Sequence, residues 1–273
     1  MAKWDDERMS FMTKSAPGFH RSPDYRIDIE PCPRRVRVKF GKTLLADSTK
    51  VLVMLENNQV PVYYFPRNDL VWGNLQASEL TTYCPFKGAA SYWSVNIGGT
   101  SIDDAVWSYE DPFQEALMIK DHMAFYWHKA DHWYEEDEEV YVHPRDPYKR
   151  VDAIRSKRPV KVVLGGLTVA ESVNAVYLFE TGMPTRYYIP ATDVRLDLLK
   201  KSESSTQCPY KGIADYWSAD INGTIFDDIA WRYPEPLAAC AKIQGLYCFY
   251  NENVDELLIE GTSVGRPATK WSR

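Results

Sequence analysis

The chain has 273 residues, enough for two domains of ordinary size, and its 45% hydrophobic and 26% charged content is that of a globular protein without low-complexity tracts. A net charge of −6 argues against a nucleic-acid partner, and no apolar run approaches the roughly 18 residues of a membrane span. The first residues, Met-Ala-Lys-Trp-Asp-Asp-Glu-Arg, lack the apolar stretch of a signal peptide, so a cytosolic location with no membrane partner is expected.

Residues 1–19 are polar and irregular and are expected to form a mobile arm. From there the chain states one pattern twice. Cys84-Pro-Phe-Lys-Gly-Ala-Ala-Ser-Tyr-Trp93 returns as Cys208-Pro-Tyr-Lys-Gly-Ile-Ala-Asp-Tyr-Trp217, an offset of 124 residues. The offset holds without a gap from 21–130 against 145–254, and more than half of the positions from 84 to 112 are identical. The chain is therefore a tandem duplication. Two copies are too few for a solenoid, and two similar domains related by a pseudo-two-fold are expected. The expected boundaries are 20–130 for the first repeat, 131–142 for an acidic connector, 143–255 for the second repeat and 256–273 for a tail.

Within each copy, alternation predicts strands at Arg35-Val-Arg-Val-Lys-Phe and Val160-Lys-Val-Val-Leu, each ended by Gly. A hairpin follows: Val51-Leu-Val-Met-Leu-Glu56 turns through Asn57-Asn58 into Val62-Tyr-Tyr-Phe-Pro66, and its copy turns through Thr181-Gly182. The Cys-Pro motif opens a further strand group that turns at Gly98-Gly99 and Asn222-Gly223. Asp103-Asp104 and Asp227-Asp228 read as turn residues before Trp107 and Trp231, in preference to carboxylates offered to the same pocket as the tryptophans. One short helix per copy is expected after Asp111-Pro112 and Glu235-Pro236, with Pro at its first position. The class is mainly β.

The five cysteines, Cys32, Cys84, Cys208, Cys240 and Cys248, are odd in number and form no Cys-x-x-Cys pair, which fits free thiols in a reducing compartment. Cys84 and Cys208 head the repeated motif as strand openings or as nucleophiles. His128 and His132 have metal-ligand spacing only if they lie on a helix.

The paired Val-Arg-Val…Gly…Ala-Asp-Ser, Tyr-Tyr-Phe-Pro-Arg-x-Asp, Cys-Pro-Phe-Lys-Gly and Trp-x-Tyr…Pro motifs, with the linking His143-Pro-Arg-Asp-Pro-Tyr-Lys-Arg-Val-Asp, resemble the tandem form of the family known as domain of unknown function 427. The resemblance covers roughly residues 20–255. It implies two β-tent-like domains. Relatives of that fold carry a structural zinc on paired Cys-x-x-Cys knuckles that this chain lacks, so neither metal nor cofactor is expected. A nucleotidyltransferase-like label attached to the family finds no Gly-rich phosphate loop here.

Several polar residues recur at chemically useful places. Lys87 and Lys211 precede a glycine in the motif, as an oxyanion binder, a base of lowered pKa, or a turn lysine. Glu56 and Glu180 end one hairpin strand and Tyr64 and Tyr188 lie on its partner, so that carboxylate and phenol either share one face as a polar site or belong to a surface ion-pair ladder. Arg186 joins them in the second copy alone, where the first has Val62. The expected working site is thus Glu180, Lys211, Tyr188 and His143 as proton-moving groups, with Arg186 and Arg145 binding. Glu56, Tyr64 and Lys87 form its counterpart. Trp93, Trp107, Trp217 and Trp231 are either core or the walls of an aromatic cage. Two functions follow: a metal-free acid–base enzyme acting on a compact aromatic or carbonyl-bearing small molecule, or a small-molecule binding or interaction module without turnover.

Overall fold

Strict alternation places the strands: Val36, Val38 and Phe40 are buried while Arg37 and Lys39 are not, and Val160, Val162 and Leu164 repeat the pattern. The computed structural model describes residues 15–272 and divides into two units, Met1–Asp146 and Pro147–Arg273.

The first unit contains β1 (Ile27–Pro31), β2 (Val36–Phe40), β3 (Thr43–Ser48), β4 (Leu52–Glu56), β5 (Val62–Pro66), β6 (Leu75–Cys84), β7 (Gly88–Ile97), β8 (Thr100–Ser108), β9 (His122–Phe125), β10 (His132–Glu135) and β11 (Glu138–Val140). They form a seven-stranded sheet, β1-β4-β5-β9-β8-β7-β6, and a four-stranded sheet, β11-β10-β2-β3, with antiparallel pairing. The second unit contains β12 (Val151–Arg155), β13 (Val160–Leu164), β14 (Leu167–Ser172), β15 (Val176–Glu180), β16 (Arg186–Ile189), β17 (Leu199–Cys208), β18 (Gly212–Ile221), β19 (Thr224–Arg232), β20 (Tyr247–Phe249), β21 (Glu256–Ile259) and β22 (Thr262–Ser263). Its sheets run β12-β15-β16-β20-β19-β18-β17 and β14-β13-β21-β22, the same order strand for strand.

Each large sheet is apolar on both faces. One face packs on the small sheet through Val38, Phe65, Trp93 and Trp133, and through Val162, Ile189, Trp217 and Leu257 in the second unit. The other face carries Met54, Tyr64 and Tyr109, or Leu178, Tyr188 and Trp231. A short 3₁₀ segment covers it, Gln114–Ile119 or Ala238–Ile243, kinked at Ala116 and Cys240. These are the helices expected after Pro112 and Pro236, begun two residues late because Phe113 and Leu237 are extended.

Four boundary and turn expectations are corrected. The acidic stretch 131–142 is no connector: β10 pairs with β2, burying Trp133 and Glu135, and the acids between them hid the alternation. The tail beyond 255 likewise supplies β21, which pairs with β13. Residues 1–14 of the expected arm lie outside the described residues, but its end is held: Ala16 is buried and the Gly18 N–H donates to Pro85 O at 2.9 Å. Asp103-Asp104 and Asp227-Asp228 sit inside β8 and β19, where Asp104 and Asp228 adopt positive φ (50° and 47°) at irregularities in pairing. Each donates its backbone N–H to a serine hydroxyl, Ser94 or Ser218, and aspartate tolerates this left-handed conformation better than most residues.

The Lys-Gly turn requires its glycine. Gly88 and Gly212 have φ of 107° and 102°, and a Cβ would stand 3.2 Å from the carbonyl oxygen of Asp111 or Glu235. The preceding lysine carbonyl accepts the N–H of Phe113 or Leu237, at 3.1 and 3.0 Å, so the turn holds the 3₁₀ segment in place. Gly212→Ala is expected to cost about 1–3 kcal/mol, read as a lower urea midpoint at unchanged slope.

Candidate functional site

The two faces of the large sheet sort the sequence-predicted residues. On β15, Val176, Leu178 and Glu180 share one face, and on β16 Arg186 and Tyr188 share that face too. Lys211 reaches the same face from the turn between β17 and β18. Its Nζ forms an ion pair with Glu180 Oε2, and Lys149 Nζ lies 3.1 Å from the other carboxylate oxygen. In the first unit Lys87 Nζ contacts both Glu56 oxygens at 2.6 Å, and the Tyr25 hydroxyl donates to Glu56 at 2.8 Å. Tyr25 and Lys149 occupy equivalent repeat positions and do the same work with a phenol and an ammonium. Each also lies on the aromatic ring of the motif: Tyr25 stacks on Phe86 at 4.0 Å, and Lys149 sits 5.3 Å from the Tyr210 centroid.

Both pairs are largely sequestered, with Glu180 and Lys211 side chains 8% and 11% exposed. Burial pushes the Glu180 carboxyl up, but Lys211 and then Lys149 outweigh it and hold it below the ordinary carboxylate range. Burial pulls the Lys211 ammonium down, but Cys208 and Glu180 outweigh it and hold it above the ordinary lysine value. At neutral pH the pair is therefore an ammonium against a carboxylate, with no free base. Tyr188 is fully buried, which raises its phenol well above the ordinary value, and its oxygen accepts the Trp231 Nε1–H at 3.2 Å. Tyr64 accepts from Trp107 in the same way at 3.3 Å.

Arg186 does not serve Glu180. The hairpin register sets it opposite Leu178, while Glu180 lies farther along, opposite Val151 of β12. Arg186 instead makes a two-pronged pair with Glu252, at 2.6 and 2.7 Å, and lies over the rings of Trp231, Tyr250 and Trp271. Thr269 donates to the same carboxylate at 2.7 Å, so the C-terminal segment closes over the pair. Two repeat positions changed together here: Val62 and His128 in the first copy are Arg186 and Glu252 in the second. That paired change was the signal in the sequence.

A cage combining Trp217 with Trp231, or Trp93 with Trp107, does not form. Consecutive strand residues face opposite ways, so Trp93 and Trp217 join the cores between the sheets while Trp107 and Trp231 line the other face. Trp217 instead carries Arg232 at 4.8 Å and Trp93 carries Arg67 at 5.3 Å. His143, whose Nδ1 is 2.7 Å from Pro144 O, and Arg145 belong to the first unit, whereas Glu180, Lys211, Tyr188 and Arg186 belong to the second. Among the described residues no three His, Cys, Asp or Glu cluster to hold a metal.

A feature absent from the sequence reading lies at the other end of β15. A cavity of about 390 Å³ opens beside Val176, lined by Leu246, Asn174, Arg155, Lys157 and Lys242 among others. Val176 and Glu180 are four residues apart, about 13 Å along a strand, so cavity and ion pair are separate places on one face.

The model of one family, described as a domain of unknown function (DUF427), matches the chain twice, over residues 28–136 and 152–260. The chain belongs to this family and carries its domain in tandem. No curated protein matches it significantly. No helix among the described residues is long and apolar enough to cross a membrane.

Breaking a buried ion pair on one side leaves an uncompensated charge, so Lys211→Ala and Glu180→Gln are each expected to cost about 3–5 kcal/mol. The sign with pH follows from the two shifts. The Glu180 contribution is present above the unfolded carboxylate pKa of about 4.3 and is lost as pH falls through the lower folded value. The Lys211 contribution is present below about 10.4 and is lost as pH rises through the higher folded value. Urea midpoints of wild type and Glu180→Gln should therefore differ by a constant amount from about pH 6 to 9 and converge in acid.

Proposed function

We propose that this protein is a small-molecule-binding module without turnover, its ligand held by the second unit. One observation carries the reading: the groups suited to proton transfer are closed on one another, whereas the 390 Å³ cavity is lined by none of them. Acid–base turnover at Glu180 and Lys211 would first have to break a buried ion pair, and Tyr188 has no exposed surface from which to meet a substrate. The cavity combines apolar surface at Val176, Pro190 and Leu246 with polar groups able to orient a ligand, Arg155, Ser156, Lys157, Asn174 and Lys242. In this reading the protein works in the cytosol without metal, cofactor, nucleic-acid or membrane partner.

Saturation-transfer NMR of the full chain with mixtures of small organic acids, alcohols and amines tests the reading. At least one compound should show transfer, and every compound should keep its spectrum unchanged over days. Conversion of any compound at a rate proportional to protein concentration would contradict it, as would the absence of any transfer at millimolar ligand.

A further inference from the structure

The cavity beside Val176 has a chemistry of its own. Three cations line it, Arg155 at the end of β12, Lys157 two residues on, and Lys242 in the 3₁₀ segment, and no carboxylate does. Arg155 has no acidic partner among the described residues. Lys157 Nζ donates to Asn174 Oδ1 at 2.5 Å, and Lys242 Nζ donates to the Ala153 carbonyl at 3.0 Å. Three like charges around one concavity repel one another, whereas the two buried cations of this unit are matched, Lys211 by Glu180 and Arg186 by Glu252.

Repeat comparison isolates the feature. Arg155, Lys157 and Lys242 stand where the first copy has Pro31, Pro33 and Met118. All three changes add positive charge, and they come from two separate segments that meet only in the folded unit. The floor is apolar, formed by Val176 and Leu246 with Pro190 beside them.

We propose that this cavity is the binding site for an organic oxyanion, a carboxylate or phosphate monoester on a compact apolar body. The apolar body lies on Val176 and Leu246, and the oxyanion is taken by the planar fork of Arg155 with Lys157 and Lys242 adding charge-assisted hydrogen bonds. The first unit, without the three cations, does not share the site. The inference rests on the binding-module reading and names the ligand class.

Titration of the full chain with phenyl phosphate, benzoate, inorganic phosphate and benzyl alcohol, followed by calorimetry and by the Val176 and Leu246 methyl resonances, tests it. Phenyl phosphate or benzoate should bind and shift those methyls, and which is tighter separates phosphate from carboxylate chemistry. Inorganic phosphate and benzyl alcohol should each bind at least about tenfold more weakly, since each lacks one half of the recognition. Arg155→Ala should weaken the organic anion by about tenfold or more, Arg155→Lys by less, and Arg155→Ala/Lys242→Ala by the most. These side chains are exposed, so an unchanged urea midpoint confirms that the variants fold. Benzyl alcohol binding at the same methyls as tightly as benzoate, or anion binding indifferent to Arg155→Ala, would overturn the oxyanion site while leaving a binding module. Failure of all four probes to shift these methyls would overturn the site as well, and transfer from other ligands would then decide the wider reading.

Discussion

A lysine pinned to a carboxylate 31 residues earlier is the contact on which each unit is built. Lys87 and Lys211 stand where the tip of the long hairpin, β6–β7 or β17–β18, meets the far end of β4 or β15. Without that tie the hairpin tip would carry its ammonium into an apolar face unpaired. The next residue, Gly88 or Gly212, lets the backbone pass within contact of the Asp111 or Glu235 carbonyl, and the lysine carbonyl anchors the 3₁₀ segment. Hairpin, central strand and covering segment are thus joined through two consecutive residues. The motif recurs because the fold needs it twice, and a buried pair of this kind fixes geometry more than it adds net stability.

What varies between the units is charge placed around that shared frame. The second unit fills its aromatic face with Arg186, matches it with Glu252 and closes it with Trp271, while the first leaves Trp107 and Tyr126 half-buried with Val62 between the strands. It also gathers Arg155, Lys157 and Lys242 at the other end of the same face, where no carboxylate answers them. One set of added charges is internally neutralised. The other is open, and the proposed binding role rests on that contrast.

Much of the fold was legible because it is written in local rules. The duplication, the alternating strands, and the turns at Asn58, Gly98-Gly99 and Asn222-Gly223, all at positive φ, follow from period and turn chemistry. Long-range pairing was less legible. Convergence of Glu180 and Lys211 on one face could be framed from the hairpin, but not that Lys149 would share the carboxylate or that register would send Arg186 to Glu252. The faces of Trp93 and Trp107 follow from strand parity, which a cage drawn from composition ignores. The β10 strand was masked because Glu135 is a buried acid, held by the Tyr63 hydroxyl at 2.7 Å and Arg34 at 2.8 Å, and reads in sequence as surface. The cations of the cavity come from two segments that meet only in the folded unit.

The central claim, that the lysine–glutamate pair is structure and not catalytic machinery, is tested most directly by a double-mutant cycle at Lys87 and Glu56, measured by urea unfolding of the full chain. With Lys87→Met, Glu56→Leu and the double variant, each single change should destabilise strongly and the double should recover much of the loss, giving a coupling of about 1.5 kcal/mol or more. Additive single effects, each below about 0.5 kcal/mol, would contradict it and return the pair to the list of groups free to act on a ligand.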